Sequence, residues 1–286
     1  MTRRRLGGQA GTAPASAADQ VLRWRDRLGT VRARSLRDAQ PPAGPESLAD
    51  GRPRHAVTPG DGRPVTRPTR ERATRGALAG RAALITGGSS GIGAATAQVF
   101  AAHGARIALA GRDVAALCRV ASQTGGVYIP GDLREPGCPR RTVEAAAGAL
   151  GGLDVLVSNA GAGWSGPFAT MSESEIDSLL DLNLRAGAHL ARAALRYLQP
   201  GTGRLVFIGS IAGLVGVPGE TWYSATKAGL GRMADTLRAE LRPVGIGVTL
   251  VTPGAVNTPY FARRNAPYAR HHPRLISAQA VASAIA

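Results

Sequence analysis

"AALITGGSSGIG", residues 82–93, is the stretch on which the fold turns. Ala82 to Thr86 form a short apolar run that reads as a buried strand. The glycines at 87, 91 and 93 then let the chain turn sharply, and they let a pyrophosphate approach backbone N–H groups at a helix N-terminus. Gly87, Ser89, Ser90, Gly91, Ile92 and Gly93 are therefore the expected dinucleotide cradle, opening a helix that stops near Gly104. A glycine cluster alone also fits a tight strand-to-helix turn that holds no ligand; its place between a strand and a helix points to the nucleotide.

The same alternation continues outward from this turn. "ARIALA" (105–110), "GVYIP" (126–130), "LDVLVS" (153–158), "GRLVFIG" (203–209) and "GVTLVT" (247–252) read as five further strands. Helical patterns fall between them, over 113–123 and roughly over 136–150, 173–198 and 222–242. Strands alternating with helices predict an α/β fold: a Rossmann-type doubly wound parallel sheet with helices on both faces. Sheets of this kind bind ligands at the carboxyl ends of their strands.

Upstream of the first strand the composition changes. The chain has 286 residues and a net charge of +16, and residues 1–75 hold 16 arginines against 7 acids, with seven prolines between positions 41 and 68. Too little apolar surface is present there to offset the entropy of ordering, so residues 1–77 are predicted to be a disordered basic Arg/Pro-rich extension, with 16–39 able to form a short helix. Residues 78–286 form the predicted domain. No run of 18 apolar residues exists, so no membrane span is expected, and the start lacks the apolar core of a secretory signal. A cytoplasmic protein is the expectation, with an organelle-targeting peptide as the alternative. A basic arm can bind nucleic acid or an anionic surface, but only Trp24 interleaves with its arginines and no recognition motif appears, so a solvated tail is preferred over a nucleic-acid partner. Cys118 and Cys138 have no metal-ligand spacing, and neither a metal nor a disulfide is expected.

Two further positions carry chemistry. At the end of the second predicted strand, an acidic residue would accept hydrogen bonds from the adenine ribose; Gly111 and Arg112 stand there instead. A guanidinium can pair with a 2′-phosphate, so NADP(H) is favoured over NAD(H), unless Arg112 merely flanks Asp113, the expected cap of the next helix. The other position is Lys227, the one lysine among 34 arginines. Tyr223 and Lys227 are four residues apart and share a helix face. An ammonium there would favour the phenolate, lowering a pKa that is ordinarily about 10. It would also hydrogen-bond a ribose diol in a way a planar guanidinium does not. The bland alternative is a surface pair on an amphipathic helix.

Together these residues resemble the short-chain dehydrogenase/reductase family, over nearly all of the segment from about 80 to 286. "TGGSSGIG" resembles the family's glycine-rich turn, "GDL" places Asp132 and Leu133 at its adenine contact, and "SNAG" (158–161) is similar to its NNAG stretch, with Ser158 for the first Asn. "LNL" brings Asn183 to the family's helix asparagine, Ser210 lies 13 residues before Tyr223, and "PGAVNT" (253–258) resembles the loop beside the nicotinamide. The resemblance implies hydride transfer between a nicotinamide and a carbonyl or carbinol carbon. Tyr223 would be the general acid or base, and Ser210 the donor to the substrate oxygen. Lys227 would hold the ribose, and Asn183 would seat a water joining the lysine to solvent. Asn159, Ala160, Gly161, Pro253, Gly254, Val256 and Thr258 would complete the cofactor site.

Trp164, Phe168 and Tyr260 fall where the family contacts substrate, and Arg263, Arg264, Arg270 and Arg274 would complement an acidic substrate or carrier unless they belong to a solvated lid. His271 and His272 have no partner spacing and receive no role. The chain stops after "SAQAVASAIA", so the family's seventh strand, at one sheet edge, is expected to be missing. The expected partners are a small-molecule ketone or alcohol and further copies of the chain, as a homodimer or homotetramer. Two alternatives stand beside this reading: an NADP-binding regulatory or scaffold protein that uses the basic arm, and a carrier-linked 3-oxoacyl reductase.

Overall fold

The computed structural model describes residues 76–264, 266, 268 and 274–286. The basic extension up to residue 75, and Arg270, His271 and His272, lie outside the described residues.

All five residues of β1 (Ala82–Thr86) are buried, as a strand covered on both faces must be. It is followed by α1 (Gly91–Ala102), β2 (Arg106–Gly111), α2 (Val114–Thr124), β3 (Val127–Pro130), α3 (Cys138–Leu150) and β4 (Val155–Ser158). The second half contains α4 (Glu173–Leu180), α5 (Ala186–Ala194), β5 (Arg204–Ile208), α6 (Thr221–Leu241) and β6 (Gly247–Val251). These six strands form one sheet in the order β3-β2-β1-β4-β5-β6, and every pairing is parallel. The order reverses between β1 and β4, which opens a crevice at the carboxyl ends of the two central strands.

Alternate residues of the strands supply two apolar layers. Ala83, Ile85, Ile107, Leu109, Val157 and Ile208 pack against Ala97 and Phe100 of α1 and Leu117, Val120 and Ala121 of α2. Leu84, Leu156, Leu205 and Phe207 point to the opposite face and are fully buried, where α3, α5 and α6 touch the sheet. The doubly wound architecture expected from the alternation is therefore the one observed.

Local signals set the element ends. Asp113 accepts a hydrogen bond from the Ala116 N–H at 3.0 Å and caps α2, which stops at Gly125 with φ 63°. Ser172 and Glu175 form a reciprocal capping box at the start of α4. The continuous helix expected over 173–198 is instead divided. Asp181–Arg185 is a π-helical turn between α4 and α5, and α5 ends at Ala194. Among the described residues β6 has β5 as its one neighbour. Beyond it, β7 (Val256–Asn257) pairs with β8 (Ile276–Ser277), and α7 (Tyr260–Arg263) lies between them in sequence. Finally, α8 (Ala278–Ile285) packs on α1 through Ala282 and Ala278 against Ala95 and Val99. No described helix is long and apolar enough to cross a membrane.

Candidate active site

The glycine-rich turn holds its shape by close backbone approach. Gly87 has φ 65°, and a Cβ on Gly93 would collide with the Gly87 carbonyl oxygen and lie 2.6 Å from Asn159 Nδ2. Asn159 fastens this contact: its Nδ2 donates to the Thr86 carbonyl at 2.8 Å. The N–H groups of Asn159 and Ala160 both donate to Thr86 Oγ1, at 3.0 and 3.1 Å. Ser90 caps α1 without a side-chain hydrogen bond, so the first N–H groups of that helix have no side-chain acceptor there. A helix N-terminus beside glycines is a donor set shaped for an anion.

Next to it, Arg112 projects from the end of β2, its side chain 65% exposed, with Nη1 3.8 Å from Asp132 Oδ2. Asp132 is held much more tightly by Arg134, whose Nε and backbone N–H both donate to Oδ1 at 3.0 Å and whose Nη2 donates to Oδ2 at 2.5 Å. This hydrogen bonding by Arg134 outweighs burial and keeps the Asp132 carboxyl below its ordinary pKa. Of these two guanidiniums it is Arg112 that lines the cleft, with Asp113 and Asp132 beside it. Arg134 was not anticipated; its signal was the adjacent "DLR", in which the acid and the cation face each other across a turn.

The reactive end is built by β5, α6 and the π turn. Ser210 follows β5, and its Oγ accepts from the Ala212 N–H at 3.1 Å. Tyr223 and Lys227, one turn apart on α6, are 8% and 6% exposed. Lys227 Nζ donates to the Ile208 carbonyl at 2.9 Å and lies 5.9 Å from the centre of the Tyr223 ring. Burial lowers the Lys227 pKa to about 8. Burial also raises the Tyr223 phenol above its ordinary value, against the opposing pull of the nearby Tyr260 and Ser210 hydroxyls. Lys227 is not among the groups that shift the phenol, so the lowering expected from the four-residue spacing is not seen. The ammonium is committed to a backbone carbonyl, and desolvation of the phenol dominates.

Asn183, at the centre of the π turn, is 2% exposed and does not reach the cleft surface. Its Nδ2 donates to the Ala162 carbonyl at 2.9 Å and to Thr226 Oγ1 at 3.2 Å, and its Oδ1 accepts from the Ala162 N–H at 2.9 Å. Both side-chain donor hydrogens are thus occupied. The asparagine ties the loop after β4 to α6, one turn from Tyr223 and beside Lys227.

At the substrate end, Tyr260 lies beside Tyr223 with ring centres 5.8 Å apart. The Arg264 guanidinium lies 5.4 Å from the Tyr260 ring centre and 4.9 Å from that of Phe261. Its Nη1 meets Glu220 Oε1 at 2.5 Å in a pair whose side chains are 8% and 16% exposed. Arg264 is therefore neutralised within the protein, unlike the exposed Arg263 and Arg274. Trp164 and Phe168 do not line the cleft. The Trp164 indole N–H donates to Glu175 Oε1 at 3.0 Å and the ring packs near Met171 and Leu179, while Phe168 stands 48% exposed on a short 3₁₀ turn. Glu220 was missed in the sequence, although it stands three residues before Tyr223, at the N-cap of α6.

These parts border one cleft of about 850 Å³. Its walls include Gly87, Ser89, Ser90, Gly91, Ile92, Arg112, Asp132, Leu133, Asn159, Ala160 and Gly161. Ser210, Tyr223, Lys227, Pro253, Gly254, Val256, Thr258 and Tyr260 line it too, with Glu220, Phe261 and Arg264, and Thr258 lies against Gly91. Gly93 lies behind the surface of the turn rather than on it. Among the described residues no cluster of three or more His, Cys, Asp or Glu is arranged to hold a metal ion.

Comparison with known proteins places this geometry. Residues 81–269 match the family described as short chain dehydrogenase. A ketoacyl reductase, HetN, of Nostoc is 37% identical over 186 residues, covering 63% of this chain and 65% of that protein, so the chain spans less than two thirds of this relative's length. A short chain dehydrogenase from Burkholderia cenocepacia, solved in complex with NADP, superposes with a TM-score of 0.67 at 34% identity, over 73% of this chain and 89% of that one. A 3-ketoacyl-(acyl-carrier-protein) reductase from Brucella melitensis, complexed with NADH, gives a TM-score of 0.67 at 27% identity, over 73% and 90% of the two chains.

Proposed function

Because this chain belongs to the short chain dehydrogenase family, we propose that it is an NADP(H)-dependent oxidoreductase that interconverts a ketone and a secondary alcohol. The observation that carries the reading is the convergence of Ser210, Tyr223 and Lys227 on one wall of a cleft whose other end is a glycine-shaped anion cradle.

The residues present fit a nicotinamide dinucleotide. Gly87, Ser89, Ser90, Gly91 and Ile92 would surround the diphosphate, with Gly93 giving the turn its closeness; Asp132 and Leu133 would face the adenine. Asn159, Ala160 and Gly161 would line the middle, and Pro253, Gly254, Val256 and Thr258 the nicotinamide side. The largely exposed Arg112 guanidinium, only loosely paired with Asp132, is available to a 2′-phosphate and so favours NADP(H) over NAD(H). When bound, the cofactor supplies or accepts the hydride.

The protein's own residues handle the proton. A phenol held neutral by burial is a donor, so Tyr223 gives its proton to the substrate oxygen as negative charge develops there. Ser210 Oγ already accepts from the Ala212 N–H, which leaves its own O–H free to donate to the same oxygen. Lys227 holds the ribose beside Tyr223, and Asn183 fixes the Ala162 loop that borders both; any water it seats would use its main chain, since its side-chain donors are occupied. Residues 78–286 are the catalytic domain in this reading, residues 1–77 an extension, and the assembly a homodimer or homotetramer.

A carrier-linked 3-oxoacyl substrate is the second reading, favoured by the names of the Nostoc and Brucella relatives and by the exposed Arg263 and Arg274. The experiment for the cofactor assignment is a fluorescence titration with NADPH and with NADH. Tighter NADPH binding that Arg112→Ala erases supports the reading, and equal affinity for both cofactors in the wild type refutes the 2′-phosphate assignment.

A further inference from the structure

One wall of the described cleft carries a buried hydroxyl that the proposed chemistry does not use. Tyr260 Oη is buried and has no hydrogen-bond partner of ordinary geometry, although Tyr223 and Tyr260 are close enough for each hydroxyl to influence the ionisation of the other. Buried polar groups are nearly always paired, and an unpaired one calls for a ligand or a function.

The position is built rather than incidental. Gly163 is the residue that gives the Tyr260 hydroxyl its room, since a Cβ there would collide with Oη. From the other side, Arg264 stacks near the Tyr260 ring and is itself anchored by Glu220. Phe261 closes edge-on at 5.4 Å between ring centres. Burial raises the Tyr260 pKa, so the group is a hydrogen-bond donor throughout the working range.

A carbonyl oxygen has two lone pairs, and in the mechanism above Ser210 and Tyr223 take both. A third donor at the same place needs a different acceptor. We propose that Tyr260 is a specificity determinant that hydrogen-bonds a second oxygen of the substrate, so that the favoured substrates are carbonyl compounds with another oxygen on the adjacent carbon or one carbon further, as in a vicinal diketone or a β-keto ester. The inference rests on the reductase reading and sharpens its substrate class.

Two matched pairs of probes test it: butanedione against butanone, and ethyl acetoacetate against ethyl levulinate, whose second oxygen lies further away. The wild type should prefer the first member of at least one pair in kcat/KM, and which pair separates the vicinal from the β arrangement. In Tyr260→Phe, which removes only the hydroxyl, that preference should fall roughly tenfold. Gly163→Ala should reduce it in the same direction by pushing the phenol aside. An NADPH titration of each variant establishes that it is folded and loaded. A preference unchanged in both variants, or a Tyr260→Phe defect confined to NADPH affinity, would overturn the assignment while leaving the reductase reading intact. Absence of NADPH oxidation by the wild type with every carbonyl would instead remove the reductase reading, and this inference with it.

Discussion

The two ends of the cleft are made of different material. The phosphate end is backbone: a glycine turn, the first N–H groups of α1, and Asn159 bonded to the main chain of Thr86. The substrate end is side chain, and its parts come from far apart, with Glu220 and Arg264 joined across 44 residues and Tyr260 set against Gly163 and Tyr223. A site made of backbone is determined by a few residue types within a dozen positions. A site made of side chains depends on how distant segments pack, and it can change its ligand without disturbing the sheet.

This contrast is best broken first at the reactive wall between the two ends. Tyr223→Phe should lower kcat about a thousandfold by removing the proton donor, while an NADPH titration stays close to wild type. Comparable loss of binding would mean that the tyrosine serves the cofactor rather than the chemistry. At the phosphate end, Gly93→Ala forces a Cβ into the Gly87 carbonyl and the Asn159 amide. It should cost about 3 kcal/mol of stability, read from denaturant unfolding.

Lys227 gives an effect of similar size and opposite sign. Its pKa is about 8 when folded against 10.5 in its ordinary state, so the unfolded chain binds more protons between those values. Stability of the wild type should rise as pH goes from about 8 to 10.5, by about 3 kcal/mol in total, and the benefit is lost as pH falls through 8. Lys227→Met should therefore be more stable than wild type at neutral pH, inactive, and free of this slope. A variant less stable than wild type at neutral pH would contradict the burial penalty.

Smaller effects are expected at the rim. Glu220→Gln strips the carboxylate from a largely buried guanidinium and should cost about 2 kcal/mol, with a rise in KM larger than the fall in kcat because Arg264 supports the substrate wall. Ser172→Ala removes the α4 cap and should cost about 1 kcal/mol, with turnover unchanged.

The same contrast explains how much could be read in advance. Every strand of the main sheet was legible because buried parallel strands are short apolar runs bounded by turns, and the glycine turn and the Tyr223–Lys227 spacing are local. Asn183 was legible only as a residue. The π turn that presents it, and the Ala162 and Thr226 groups that occupy it, follow from packing between the β4 loop and α6. Trp164 and Phe168 have the right chemistry for a substrate wall and the right place in the chain. Glu175, which also caps α4, draws the Trp164 indole away from the cleft. Nothing in the sequence ranks Arg264 above Arg263, and only the fold pairs one with Glu220 and leaves the other exposed.

The most direct measurement of the central claim is the mass of the alcohol formed when the full chain, supplied with NADPH deuterated at the transferring position of the nicotinamide, is mixed with butanedione or ethyl acetoacetate. Hydride transfer in the cleft beside Tyr223 predicts one deuterium on the new carbinol carbon, and none formed by Tyr223→Phe on the same timescale. Alcohol without the label, or no alcohol from these two or from butanone and ethyl levulinate while NADPH is bound, would contradict it.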